Sequence, residues 1–479
     1  MLEYIHRDAE NTVFMEWYNH VMNTSSIKPA LFVHGARQVG KTETVKYFSK
    51  EYFENMYYIS FVCNTIAVNI IKDNIHNMNY NTPLNIMQNL FDDKFIDYKN
   101  SVIIFDEVQF YPEFYDILKY FVLYLKSQII LISSYSGIIK NSNYVFNVYM
   151  TGFTFKEFLR ITGNIKMIDV INTNIKLVNP FPNNIHKYLS KLFCIYIKCG
   201  CYPVTLVPYV NNEDIGVYFY MLKDFINLYI KEFTVHIKNV NKRLYLDHEQ
   251  YYMHNILYNL VYSTENNFRD FNLVYNPDIV YDKIGYSAVV AWLSGCNVTT
   301  QSYEYDILND SIKSLYKCRT YLRDVTLANA VLENIDKATD IIAEGYVCSV
   351  LEDMKSKNVG SIPNSIGYIK TPSKKIIFIV NTIYGKTAVD INLNSDKEDI
   401  YLIDLLKNKK IDFIIRTGMS NLGREGNILT VPLYAFSFLD LRISDDVRLG
   451  FDKMDSDFMK EFKEKQKNNY HIKPMKFFE

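Results

Sequence analysis

Two glycines five residues apart, followed at once by a lysine and a threonine, constrain this chain more than any other feature: Gly35-Ala36-Arg37-Gln38-Val39-Gly40-Lys41-Thr42. The apolar run Ala30-Leu31-Phe32-Val33-His34 before them has strand length, and Glu43-Thr44-Val45-Lys46-Tyr47-Phe48 after them has helical spacing. Glycines at these positions let the backbone take conformations closed to residues with a Cβ, so that consecutive N–H groups turn inward onto an anion. The following helix points its positive end at the same place. A lysine at position 41 adds a point charge and Thr42 a hydroxyl, the pattern of a loop that cradles nucleotide phosphates with a hydroxyl ligand for Mg²⁺. All eight residues, Gly35, Ala36, Arg37, Gln38, Val39, Gly40, Lys41 and Thr42, are therefore candidates for nucleotide contact.

A second element fits the first. Ser101-Val102-Ile103-Ile104-Phe105 is an apolar strand that ends in Asp106-Glu107. An aspartate at the carboxyl end of a strand beside a phosphate loop holds Mg²⁺ through its water shell, and the next acid is placed to deprotonate an attacking water. Gln128 to Ser134 reads as a further buried parallel strand, whose end offers Ser133 or Ser134 as a residue sensing the terminal phosphate. With a strand at 56–61, helices within 64–99 and an amphipathic helix from Pro112 to Lys126, the alternation from 30 to 155 predicts a doubly wound α/β domain.

At 479 residues the chain exceeds one ordinary core. The formal net charge of −1 gives no global support for nucleic-acid binding, although a local patch is compatible with it. Seven cysteines, scattered and without C-x-x-C spacing, argue against a disulfide framework or a zinc site, and Cys199-Gly200-Cys201 reads as a packed turn. The acidic start Met1-Leu2-Glu3 lacks a signal pattern, and no apolar run reaches the length of a membrane span, so a cytoplasmic protein without membrane contact is expected.

Composition and periodicity divide the chain into a phosphate-loop domain (1–165), a mostly helical middle region (166–335) for which a winged-helix form is one reading, a smaller α/β domain (336–440) and a charged tail (441–479). The third part shows a helix from Glu344 to Met354 and strands near 375–380, 387–393, 411–416 and 428–436; a solvent-facing helix is expected at 453–467.

These landmarks together resemble the bacterial and archaeal AAA-type P-loop ATPases that carry a C-terminal domain similar to restriction endonucleases. The resemblance rests on the Arg-Gln pair inside the loop, on Phe105-Asp106-Glu107-Val108-Gln109, on Ser133-Ser134-Tyr135-Ser136-Gly137-Ile138 and on Phe155-Lys156-Glu157-Phe158-Leu159. Farther on it rests on Asn267-Phe268-Arg269-Asp270-Phe271, Trp292-Leu293, Tyr321-Leu322-Arg323-Asp324-Val325-Thr326-Leu327, Ala343-Glu344-Gly345-Tyr346-Val347 and Val431-Pro432-Leu433-Tyr434. Ser133 and Thr326 stand where that family usually has glycine.

The resemblance implies an ATPase with ATP and Mg²⁺ as cofactors: Lys41 and Glu107 catalytic, the loop and Ser134 binding nucleotide, Thr42 and Asp106 on the metal. No N-K-x-D pattern follows the sheet, since Asn408-Lys409-Lys410-Ile411 fails it, and ATP is favoured over GTP. An endonuclease site needs a helix acid, a strand aspartate and E-x-K. Glu344 offers the first, but Ile377 stands for the aspartate and Asp390-Ile391-Asn392 for E-x-K, which predicts a retained but silent nuclease fold. Three classes of function follow: an ATP hydrolase coupling nucleotide state to the C-terminal domains, an ATP-gated interaction module with negligible turnover, and an ATP-regulated DNA-binding protein or nuclease. The partner, protein or nucleic acid, is not legible, and Arg37 and Arg160 are candidates for an arginine completing a neighbour's site.

Overall fold

The computed structural model describes residues 4–24, 27–136, 143–211, 221–222, 224, 227–229, 292–313, 318–331, 339–355, 366–372, 375–393 and 400–443. Residues 267–271, the expected helix at 453–467 and most of the middle region beyond 211 lie outside them.

Five parallel strands make the first sheet: β1 (Ala30–His34), β2 (Asn55–Ser60), β3 (Ser101–Asp106), β4 (Gln128–Ser133) and β5 (Val145–Tyr149), in the order β2-β3-β4-β1-β5. Every residue of β3 and β4 is buried, as the continuous apolar runs require of strands covered on both faces. Alternation sorts their side chains. Leu31, Val33, Val102, Ile104, Ile130 and Ile132 pack with Phe14, Trp17 and Phe48 of α1 (Met15–Asn23) and its approach and of α2 (Lys41–Tyr52). Phe32, Ile103, Phe105, Ile129 and Leu131 pack on the other side, with α3 (Thr65–Asn74), α4 (Thr82–Phe91) and α5 (Phe114–Tyr124). The doubly wound P-loop fold expected of 30–155 is the fold observed, and a separate mixed sheet follows it.

Beyond the sheet come α6 (Phe155–Ile161), α7 (Ile165–Leu177), α8 (Asn183–Ile195) and α9 (Pro203–Val210). A capping box starts α6: Thr154 Oγ1 accepts from Glu157 N at 3.2 Å, and Glu157 Oε2 accepts from Thr154 N at 2.8 Å.

The second sheet has nine strands: β6 (Thr299–Asp306), β7 (Ser311–Ile312), β8 (Cys318–Leu322), β9 (Ile366–Lys370), β10 (Ile376–Thr382), β11 (Gly385–Asn392), β12 (Phe413–Gly418), β13 (Gly423–Glu425) and β14 (Ile428–Pro432). Helices α10 (Val325–Val331), α11 (Thr339–Lys355) and α12 (Ile400–Lys407) accompany it. β6 pairs parallel with β9 and antiparallel with β8, so the sheet draws on residues from 299 to 322, which the sequence places with the helical middle region. The strand expected at 428–436 ends at Pro432, and Leu433–Phe438 wind into a tighter helical turn. Proline has no N–H to continue a ladder. One apolar cluster runs from Leu31 and Val45 through Tyr202 and Trp292 to Tyr321, Phe378 and Phe413, so the two sheets share a continuous core.

Candidate functional site

The loop leaves β1 at His34 and runs into α2 with its backbone held from several directions. A Cβ on Gly35 would lie 2.0 Å from the Met150 carbonyl oxygen, so the loop passes β5's end only because position 35 has no side chain. Gly40 takes φ +95 and Gln38 φ +63, both left-handed. The Arg7 guanidinium, buried, donates to Val39 O at 2.7 Å and Thr151 O at 2.8 Å, and its Nε donates to Glu157 Oε1 at 2.9 Å. Arg7 thus ties the N-terminal segment, the loop and α6 together, while Arg7 beside Glu157 holds that buried carboxyl below the usual range against its burial.

Lys41 is buried at the head of α2, and its Nζ donates to Ala36 O at 2.8 Å and Gly35 O at 3.1 Å. Burial pulls its pKa down to about 8, although Glu107 and Asp106 attract the charged form. Thr42 Oγ1 donates to Asp106 Oδ2 at 2.9 Å, bringing together the ends of two elements 64 residues apart. Tyr58 of β2 donates to the same oxygen at 2.7 Å, and Glu107 N to Asp106 Oδ1 at 2.8 Å. Burial raises the Asp106 pKa in spite of these donors. A threonine hydroxyl and a carboxylate are oxygen ligands suited to Mg²⁺, which takes one or two protein oxygens and completes its shell with water and phosphate. Among the described residues no cluster of three or more His, Cys, Asp or Glu is placed to hold a metal by itself.

Glu107 follows in a left-handed conformation, φ 57, which turns its carboxylate out of the strand direction. It is partly exposed, with Arg37 Nη2 3.7 Å from its Oε2 and the Gln109 amide donating to the same oxygen. Ser133 and Ser134, at β4's end, both reach Gln109 Oε1, Ser133 by its hydroxyl at 3.0 Å and Ser134 by its N–H at 3.3 Å. From the middle region Tyr229, fully buried, reaches the loop: its hydroxyl accepts the Arg37 N–H at 2.7 Å. Arg160 is engaged by Asp8 at 2.6 Å.

The fold thus gathers Gly35 to Thr42, Asp106, Glu107 and Ser134 at the carboxyl ends of β1, β3 and β4. Sequence reasoning gave no role to Arg7, Tyr58, Gln109 or Tyr229. Gln109 had a visible signal, its place two residues after the acidic pair, and Tyr58 a weaker one, its place on the strand beside β3.

Residues 27–159 match the profile of a family described as AAA domain. This segment is similar to AAA domains and has a P-loop sheet. Among solved structures, the chain is similar to the Walker-type ATPase of Pyrococcus abyssi, at 14% identity over 69% of this chain and 96% of that one, TM-score 0.38. It is similar also to AMPPCP-bound DnaA from Aquifex aeolicus, at 13% identity over 60% and 77% of the two chains, TM-score 0.25. The ORC1 protein of Aeropyrum pernix in complex with DNA matches at 11% identity over 71% and 94%, TM-score 0.27. No curated protein matches the chain. Among the described residues no helix is long and apolar enough to cross a membrane.

Proposed function

We propose that the chain is a Mg²⁺-dependent ATP hydrolase that couples its nucleotide state to the second sheet. The observation that carries this reading is the contact of Thr42 Oγ1 with Asp106 Oδ2 at 2.9 Å, directly beside the buried Lys41 ammonium and one residue from Glu107. Loop amides and the amino end of α2 receive the phosphates, and Lys41 leaves its two carbonyl partners to neutralise the β- and γ-phosphate charge. Thr42 and Asp106 would hold Mg²⁺, which would supply neutralisation of phosphate charge. Glu107 accepts the proton of the attacking water, and Ser134 meets the terminal phosphate with its N–H. Coupling is supported by the next residues of β4's end: Tyr135 stacks on Trp292 with centroids 4.6 Å apart, and Ser136 N and Oγ donate to Gly295 O at 2.7 and 2.8 Å.

Nuclease activity is absent in this reading. In the second sheet Ile377 stands directly opposite Asp390, Lys375 pairs with the buried Asp390 carboxylate, and Arg319 holds Glu344 at 2.8 Å. These acids are answered by cations of the same chain, an arrangement unlike a metal site.

A second reading, an ATP-gated interaction module with negligible turnover, is favoured by Tyr229, whose hydroxyl takes the Arg37 N–H of the loop and so links it to the middle region. Glu107→Gln separates the two. Loss of hydrolysis by a hundredfold or more with ATP binding retained supports the hydrolase, whereas a wild type as slow as this variant supports the module. Stimulation of turnover by DNA would name nucleic acid as the partner class, and its absence would turn the search to proteins.

A further inference from the structure

We propose that Gln109 is the positioning residue of this site, holding the Glu107 carboxylate while it reports the terminal phosphate through β4's end to the second sheet. The proposal rests on the hydrolase reading above. Gln109 lies in the turn Val108–Phe110, just past the left-handed Glu107. Its amide has two unlike ends, and both are used. Nε2 donates to Glu107 Oε2; Oε1 accepts the Ser133 hydroxyl at 3.0 Å and the Ser134 N–H at 3.3 Å. A carboxamide donates at one end and accepts at the other, which neither a carboxylate nor an ammonium does.

The far end of the bridge has two arrangements available. A serine hydroxyl carries one proton. Ser133 Oγ stands 3.0 Å from Gln109 Oε1 and 2.7 Å from Tyr135 O, so that proton serves one acceptor or the other. Ser133 Oγ also accepts from Tyr135 N at 3.0 Å, so a change at Ser133 bears directly on Tyr135. A terminal phosphate at Ser134 takes that N–H from Gln109 Oε1, and a charged acceptor outcompetes a neutral amide oxygen. Gln109 Nε2 keeps its hold on Glu107 Oε2 and aims that carboxylate at the attacking water, while the Ser133 proton moves to the remaining claim of Gln109, loosening its grip on Tyr135.

Tyr135 has little room to absorb that change privately. A Cβ on Gly295 would lie 2.3 Å from its ring, and Trp292 covers its face. The segment it presses on enters β6 at Thr299, the strand that joins β8 and β9 in the second sheet.

The test uses the intact chain, whose two tryptophans are Trp17 and Trp292. Trp17 is buried under the first sheet beside Phe53 and serves as background, checked with Trp17→Phe. In wild type, AMPPCP with Mg²⁺ is expected to change the Trp292 emission and ADP to leave it near the resting value. Gln109→Leu, similar in size, should lower kcat tenfold or more with KM for ATP within about threefold, and should abolish the AMPPCP response. Gln109→Glu keeps the acceptor end and loses the donor, so it should lower kcat while β4's end still answers AMPPCP. Glu107→Gln should stop hydrolysis and retain the response. An unchanged kcat in both Gln109 variants, a KM that rises as far as kcat falls, or a full response in Gln109→Leu overturns the proposal. A wild type that answers AMPPCP but does not turn ATP over sinks the hydrolase reading alone, because loss of the answer in Gln109→Leu would still establish the reporting path. A wild type that binds no ATP overturns both.

Discussion

Both sheets carry buried or half-buried acids at their strand ends and along their helices, but the two treat them differently. In the first, Asp106 is held by a tyrosine hydroxyl, a threonine hydroxyl and a backbone N–H, and Glu107 by a carboxamide, with Arg37 only at 3.7 Å. These are neutral donors. They fix geometry and leave the charge available to a cation that arrives with the nucleotide. In the second sheet the partners are Lys375 for Asp390, Arg319 for Glu344 and Arg323 for both Glu352 and Asp353. There a cation of the same chain already stands beside each acid. The kind of partner around a carboxylate, more than its burial, is what differs between the acids of the two sheets.

Breaking that comparison should cost most where a buried ion pair loses its cation. Arg319→Met removes the cation paired with Glu344 and the Arg319 donor to Tyr321, so unfolding in denaturant should show a loss of about 3 kcal/mol. The matching change in the first sheet, Tyr58→Phe, leaves Asp106 two other donors, and the same measurement should show about 1 kcal/mol. Equal losses would mean that the two kinds of partner do the same work.

A smaller effect is expected from pH. Burial holds Lys41 near pKa 8, and phosphate favours its charged form. ATP affinity should accordingly fall as pH rises through 8, about tenfold weaker at pH 9 than the trend of a permanently charged group. Calorimetry should find proton uptake on binding in that range, and Lys41→Arg should flatten the profile. Folding responds in the opposite direction: the unfolded chain binds that proton more tightly, so stability from this group increases as pH rises from 8 to 10. The smallest effect is at the capping box. Thr154→Ala should destabilise the chain by about 1 kcal/mol and leave turnover unchanged, since it touches α6 and not the loop.

The legible part of the molecule was the part written locally. Strand, loop and helix around Gly35–Thr42 follow from residue types in immediate succession, and the buried run ending at Asp106 follows from apolar continuity. β6 was missed because Thr299-Thr300-Gln301-Ser302-Tyr303-Glu304-Tyr305-Asp306 is polar throughout, and its pairing with β8 and β9 decides its state. The apolar run 428–436 gave strand for its whole length because apolarity alone does not separate a strand from a helical turn. Arg7 and Tyr229 reach the loop across 32 and 192 residues, and no spacing in the sequence announces such contacts. The expectation of a silent nuclease fold rested on Ile377 and Asn392, and nothing in the sequence marked the cations beside the remaining acids: Lys375 at Asp390 and Arg319 at Glu344 were found only once the strands were paired.

The central claim, that the gathered residues hydrolyse ATP, is tested most directly by steady-state phosphate release from ATP and Mg²⁺ by the purified chain beside Lys41→Ala. The account predicts turnover in the wild type and a drop of at least a hundredfold in the variant, with both proteins equally folded. Turnover that survives the loss of Lys41, or a wild type that binds ATP and releases no phosphate with or without DNA, would contradict it.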